Sequence, residues 1–116
     1  LVSGYDPEFL GAYLDPGHLL KTGEPFELAA AIAGPYLAAV GAKDRSLLQD
    51  RFVPAGEGDV DWEAVFRTLA ARGVSGPVSV HAEYELESFD AYYATLRAEM
   101  DFFRRHLEKA WAGVSQ

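Results

Sequence analysis

The sequence has no cysteine, so it has neither a disulfide frame nor thiolate ligands for zinc, and any metal must be held by Asp, Glu and His. That composition suits a reducing compartment, and the cytoplasm is the expected location. Basic residues are few: ten Lys and Arg stand against eighteen Asp and Glu, a formal charge of −8 that repels phosphate backbones and anionic lipid surfaces. Neither nucleic acid nor a membrane is therefore an expected partner. No apolar run approaches the ~20 residues of a membrane span, and Leu1-Val2-Ser3-Gly4 has no signal-peptide pattern. Met100 is the only methionine. Leu1 is thus no translation start, and the chain is expected to be a piece of a longer one.

What is present is the mixture of a packed domain. Residues of the AVILMFWYC set make up 49% of the 116 positions, too many for a disordered chain, and the length allows one core. Strand and helix alternate in three units bounded by Gly or Pro. A strand is predicted over about 9–15, closed by a Pro16-Gly17 turn; a loop from His18 to Gly23 and a helix over about 25–33 follow. A second strand over about 36–42 is apolar on both faces, as covered parallel strands are. Residues 46–58 lack periodicity and read as a long loop. Asp61 then caps a helix over about 62–72, with Trp62, Val65, Phe66 and Leu69 on one face. The third strand, about 78–83, alternates so that Ser79, His81 and Glu83 share its polar face. Ser88 caps a last helix over about 89–112, with an apolar stripe of Phe89, Tyr93, Leu96, Met100, Phe103, Leu107 and Trp111.

This order predicts an α/β fold with a parallel sheet and helices outside it. Three strands leave two apolar edges open, which predicts self-association or completion of the sheet by further strands. In such sheets functional groups gather at the carboxyl ends of strands. Those positions hold Asp15 and His18, then Lys43 and Asp44, then His81, Glu83 and Glu85. Taken singly, each has a plainer reading: Asp15 as a turn cap, His18 and Lys43-Asp44 as solvated chain, His81 as a core histidine, Glu83 as surface charge. Their convergence at one end of three successive strands is what points to a site. Carboxylates and imidazoles without thiols suit Mn, Mg, Co or Zn.

Four segments carry a resemblance to a known family: Leu14-Asp15-Pro16-Gly17-His18, Val40-Gly41-Ala42-Lys43-Asp44, the stretch from Pro54 through Gly56-Glu57-Gly58 to Trp62, and Gly76-Pro77-Val78-Ser79-Val80-His81-Ala82-Glu83-Tyr84. In order, they resemble the last three units of the sugar isomerase/epimerase family, which includes xylose isomerase-like and sugar phosphate isomerase/epimerase proteins. The resemblance implies the C-terminal part of a (β/α)8 TIM barrel, a divalent metal, and proton transfer between neighbouring carbons of a keto sugar or sugar phosphate. It implies Asp15, His18 and Glu83 as metal ligands and Glu83 and Lys43 as catalytic residues. Lys43 and His81 would touch the substrate. Two positions depart from the pattern. Gly41 stands where many members carry a histidine ligand, and simple alignment puts the last glutamate at His81, with Glu83 on the same face. Two other readings share the scaffold: a non-catalytic sugar-binding or assembly module, favoured by Gly41, and an endonuclease IV-like repair enzyme, disfavoured by the acidity.

Overall fold

The computed structural model describes residues 11–114. In chain order these form β1 (Ala12–Leu14), α1 (Pro16–Thr22), α2 (Phe26–Ala33), a 3-10 turn (Gly34–Tyr36), β2 (Leu37–Ala42), β3 (Asp44–Ser46), β4 (Arg51–Val53), α3 (Trp62–Ala71), β5 (Val78–Val80) and α4 (Phe89–Val114). Strands β1, β2 and β5 make a parallel sheet with β2 in the centre, Leu14 opposite Val40 and Val40 opposite Val78. Among the described residues the outer edges of β1 and β5 have no strand partner.

Three of the four described helices begin where a side chain relieves their unpaired N–H groups, whereas α2, behind Pro25, has no side-chain cap. Asp61 accepts from the Ala64 N–H at the start of α3, and Ser88 Oγ accepts from the Ala91 N–H at the start of α4. The core lies where β2 meets the helices: Val40 and Ala42 are buried with Phe26 and Ala30 of α2, Trp62, Val65, Phe66 and Leu69 of α3, and Phe103 of α4. Trp62 meets Phe103 edge to face at 4.7 Å between ring centres.

Four expectations need correction. The segment read as a loop from His18 is helix α1, because Asp15 caps it through the His18 N–H, Pro16 sits at its first turn, and Gly23 at φ 78° closes it by donating to the Leu20 carbonyl. Pro16-Gly17 is thus a helix start rather than a turn. The loop over 46–58 contains part of a hairpin, in which Asp44 pairs with Val53 and Ser46 with Arg51. The third strand ends at Val80, so His81 and Glu83 lie past it, and the alternation that would set their relative heights does not reach them. The stripe on α4 is buried only in its second half: Phe103 is buried and Leu107 packs on the core, whereas Phe89, Tyr93 and Met100 are exposed. The first half instead turns Tyr92 and Glu99 inward, toward Tyr84. Of the first strand's expected span, Phe9 and Leu10 lie outside the described residues.

Candidate active site

Three chain segments leave the same end of the parallel sheet and meet at one nitrogen. Asp15 follows β1, Lys43 joins β2 to β3, and Glu83 stands just past β5. The Lys43 Nζ lies 3.0 Å from Asp15 Oδ2 and 2.8 Å from Glu83 Oε1, with His18 Nε2 at 3.3 Å. The lysine and aspartate side chains are 9% and 12% exposed, while Glu83 is 47% exposed and faces the solvent side of the cluster. Asp15 serves two ends at once, since Oδ1 caps α1 and Oδ2 receives the ammonium.

The Lys43 backbone and stem are held closely. A Cβ on Gly17 would come within 2.9 Å of the Lys43 carbonyl oxygen, so the first turn of α1 can lie this close only with glycine there. Phe52 of β4 lies beside the cluster, its ring centre 5.2 Å from Nζ and 5.3 Å from the His18 ring. Burial alone would lower the Lys43 pKa, but hydrogen bonds to Glu83 and Asp15 outweigh it and hold the ammonium above its ordinary range. The hydrogen bond from Lys43 holds the Glu83 carboxyl below the usual carboxylate range. The pair is therefore charged at neutral pH.

Beside this cluster, Tyr13 Oη and His81 Nε2 are 2.8 Å apart. The tyrosine also explains Gly41: a Cβ there would sit 2.1 Å from the Tyr13 hydroxyl oxygen, so the phenol fills the space into which a side chain at 41 would project. An open cavity of about 530 Å³ adjoins the site, lined in part by Glu83, Tyr84, Arg51, Phe52, Glu57 and Thr95.

Asp44, grouped by sequence with the strand-end candidates, turns away to a structural task. Only 1% exposed, it accepts from the N–H groups of Arg45, Gly56, Gly58 and Val60 and from Trp62 Nε1. It thereby pins the glycine-rich loop under the hairpin. Glu85, grouped there too, lines the cavity but has no part in the ammonium cluster. Sequence reasoning passed over Tyr13 and Glu99. Glu99, 3% exposed on α4, accepts from the Tyr84 hydroxyl and from the Ala55 N–H, and burial pushes its carboxyl up. It thus ties the segment that carries Glu83 to both α4 and the loop. A single Glu on the inward side of a long amphipathic helix was the signal available for it.

The donor set does not fit a divalent ion as it stands. Ligand oxygens and nitrogens must surround a shared centre at about 2.0–2.6 Å, and the shared centre here is Nζ itself. Among the described residues, no three His, Asp or Glu side chains form a group able to hold a metal. Asp15, His18 and Glu83, the set implied as ligands, instead surround an ammonium.

The family model described as xylose isomerase-like TIM barrel matches residues 1–106. Among solved structures, the D-psicose 3-epimerase of Clostridium cellulolyticum H10 superposes with a TM-score of 0.69 at 19% identity, over 84% of this chain and 38% of that one. A xylose isomerase domain protein of Alicyclobacillus acidocaldarius gives 0.70 at 19% identity, over 86% and 38%. An L-ribulose 3-epimerase gives 0.66 at 18% identity, over 90% and 38%. The chain thus spans 38% of the length of these structures. A search of the curated proteins finds no match. Among the described residues no helix is long and apolar enough to cross a membrane.

Proposed function

Since the chain belongs to the xylose isomerase-like TIM barrel family, we propose that it carries part of the active site of a sugar isomerase or epimerase, which moves a proton at the carbon beside the carbonyl of a keto sugar or sugar phosphate. The observation that carries this reading is the meeting of Asp15 and Glu83 within 3.0 Å of the Lys43 Nζ. They meet at the carboxyl ends of parallel strands, where barrel enzymes build their sites.

Each residue has a role that its surroundings support. Glu83 is ionised and half exposed, so it can take the proton from carbon. As that proton leaves, negative charge gathers on the carbonyl oxygen, and the Lys43 ammonium is the positive group placed to receive it. His18, the most exposed member of the cluster, can yield its place beside Nζ to a substrate oxygen. Asp15 keeps the ammonium charged and aimed. The His81 and Tyr13 pair offers a polar edge for sugar hydroxyls. Returning the proton from Glu83 to the neighbouring carbon, as the hydroxyl proton passes between the two oxygens, gives an isomer, whereas an epimer requires a second acid to protonate the same carbon from the opposite face. A divalent ion would polarise the same oxygens, but the donors here surround the Lys43 Nζ.

Proton NMR of ketoses in D2O tests the reading. The protein should wash out the hydrogen on the carbon next to the carbonyl for at least one ketose or ketose phosphate. The narrowing of the site by Tyr13 over Gly41 favours a second reading, a sugar-binding module without chemistry. Saturation-transfer signals from a ketose with no exchange would select that reading, and the absence of both would reject the two together.

A further inference from the structure

We propose that the Lys43 ammonium is the resident cation of this site, standing where the family resemblance calls for a divalent metal, and that the site works without one. Three observations point the same way. The ammonium already occupies the centre of the donor set, 3.0 Å from Asp15 Oδ2, 2.8 Å from Glu83 Oε1 and 3.3 Å from His18 Nε2. The histidine that the pattern would supply from the middle strand is replaced by Gly41, and the Tyr13 phenol closes that space. Lys43 is also poorly placed to move aside, because its side chain is 9% exposed and its backbone is wedged against Gly17, with Phe52 beside the ammonium.

Charge arithmetic reinforces the geometry. Asp15 and Glu83 supply two negative charges and Lys43 one positive. A divalent ion entering beside Nζ would bring three positive charges to two carboxylates, with like charges a few ångströms apart. Displacing Lys43 instead would part a 9% exposed ammonium from both of its carboxylates. A lysine donor can perform the electrophilic part of the reaction by hydrogen-bonding the developing enediolate oxygen: the proton goes from one carbon to Glu83 and on to its neighbour, the hydroxyl proton passes between the two oxygens, and the ammonium gives up none. The inference rests on the proposed function only for its consequence, turnover in the presence of chelator. Its binding arms stand apart from turnover.

The test compares the purified protein with Lys43→Met, which keeps the unbranched stem and removes the ammonium. Binding of Mn2+ is followed by loss of the free-ion signal in electron paramagnetic resonance, with circular dichroism to confirm folding. The unsubstituted protein should take up no stoichiometric Mn2+ at millimolar concentration. Lys43→Met frees two carboxylates and an imidazole, and should bind one Mn2+ at least ~10-fold more tightly. Lys43→Arg retains the charge and should exclude the ion as the unsubstituted protein does, which keeps the comparison available if Lys43→Met does not fold. Stoichiometric Mn2+ on the unsubstituted protein overturns the proposal, as does a folded Lys43→Met that gains no affinity. Sugar exchange that fails while these binding results hold would remove the proposed function and leave the inference about the cation standing.

Discussion

Replacing Asp44 with alanine should cost about 3–5 kcal/mol of stability, the upper range for a substitution that breaks a buried hydrogen-bond network. The carboxylate is almost wholly buried and is the shared acceptor for four backbone N–H groups and the Trp62 indole N–H, at 2.8 to 3.2 Å. Alanine leaves those five donors without an acceptor, and buried unpaired donors each carry a desolvation cost of ~1–3 kcal/mol that reorganisation only partly recovers. The site suffers with the fold, because Asp44 is the next residue after Lys43. Asp44→Asn separates charge from shape: it keeps one acceptor oxygen but turns an NH2 group toward donors, and should fall between the two. Urea unfolding of the three proteins gives the ordering. A loss below about 1 kcal/mol for alanine, the size of an ordinary surface change, would mean that other contacts hold the glycine-rich loop, such as the bond from the Asp59 N–H to the Arg45 carbonyl.

Glu83→Gln should lower turnover by roughly 10²–10⁴-fold, the usual contribution of a positioned general base. Glutamine keeps the size of the side chain and an oxygen for Lys43, but cannot hold the abstracted proton, so the loss should fall on kcat with KM little changed. The pH profile supplies a check on the same residue. The hydrogen bond from Lys43 depresses the Glu83 pKa, so its base form persists below the ordinary carboxylate range, and Lys43, raised above its own ordinary value, stays charged through the alkaline side of neutrality. Turnover in the free protein should therefore be flat across neutral pH, with no loss assignable to Glu83 until the medium is more acid than a normal glutamate would require. A loss of turnover that already begins at milder acidity would instead mean that a group other than Glu83 is the base.

Much of the fold was legible because its longer elements obey simple periodicities. The apolar run at β2 and the capped, one-sided pattern of α3 lie close to where patterning put them, at Leu37–Ala42 and Trp62–Ala71. What could not be read was short or polar. Strand β3 is Asp44-Arg45-Ser46, three buried polar residues that no hydrophobic pattern marks. Helix α1 hid because Pro-Gly is ambiguous: it closes a turn in one context and opens a helix behind an Asp cap in another. The candidate site was half legible. Strand order alone brings Asp15, Lys43 and Glu83 to one end of the sheet, but which of them sits in the middle depends on side-chain length and direction. A lysine stem is long enough to carry its charge between two carboxylates. Tyr13 falls within the predicted first strand with no pattern to mark it, yet its hydroxyl reaches His81 and its ring closes the space over Gly41. That contact joins positions 68 apart in the chain, and no local pattern encodes it.

The three strand ends converge on the Lys43 ammonium, and the inferred consequence is a site that takes no metal. Crystals of the protein grown in millimolar manganese, with anomalous difference maps recorded at the manganese edge, test it most directly. Lys43 Nζ should lie within hydrogen-bonding distance of both Asp15 and Glu83, with no anomalous peak between them. A manganese peak bridging Asp15 and Glu83, with Lys43 swung away, would contradict it.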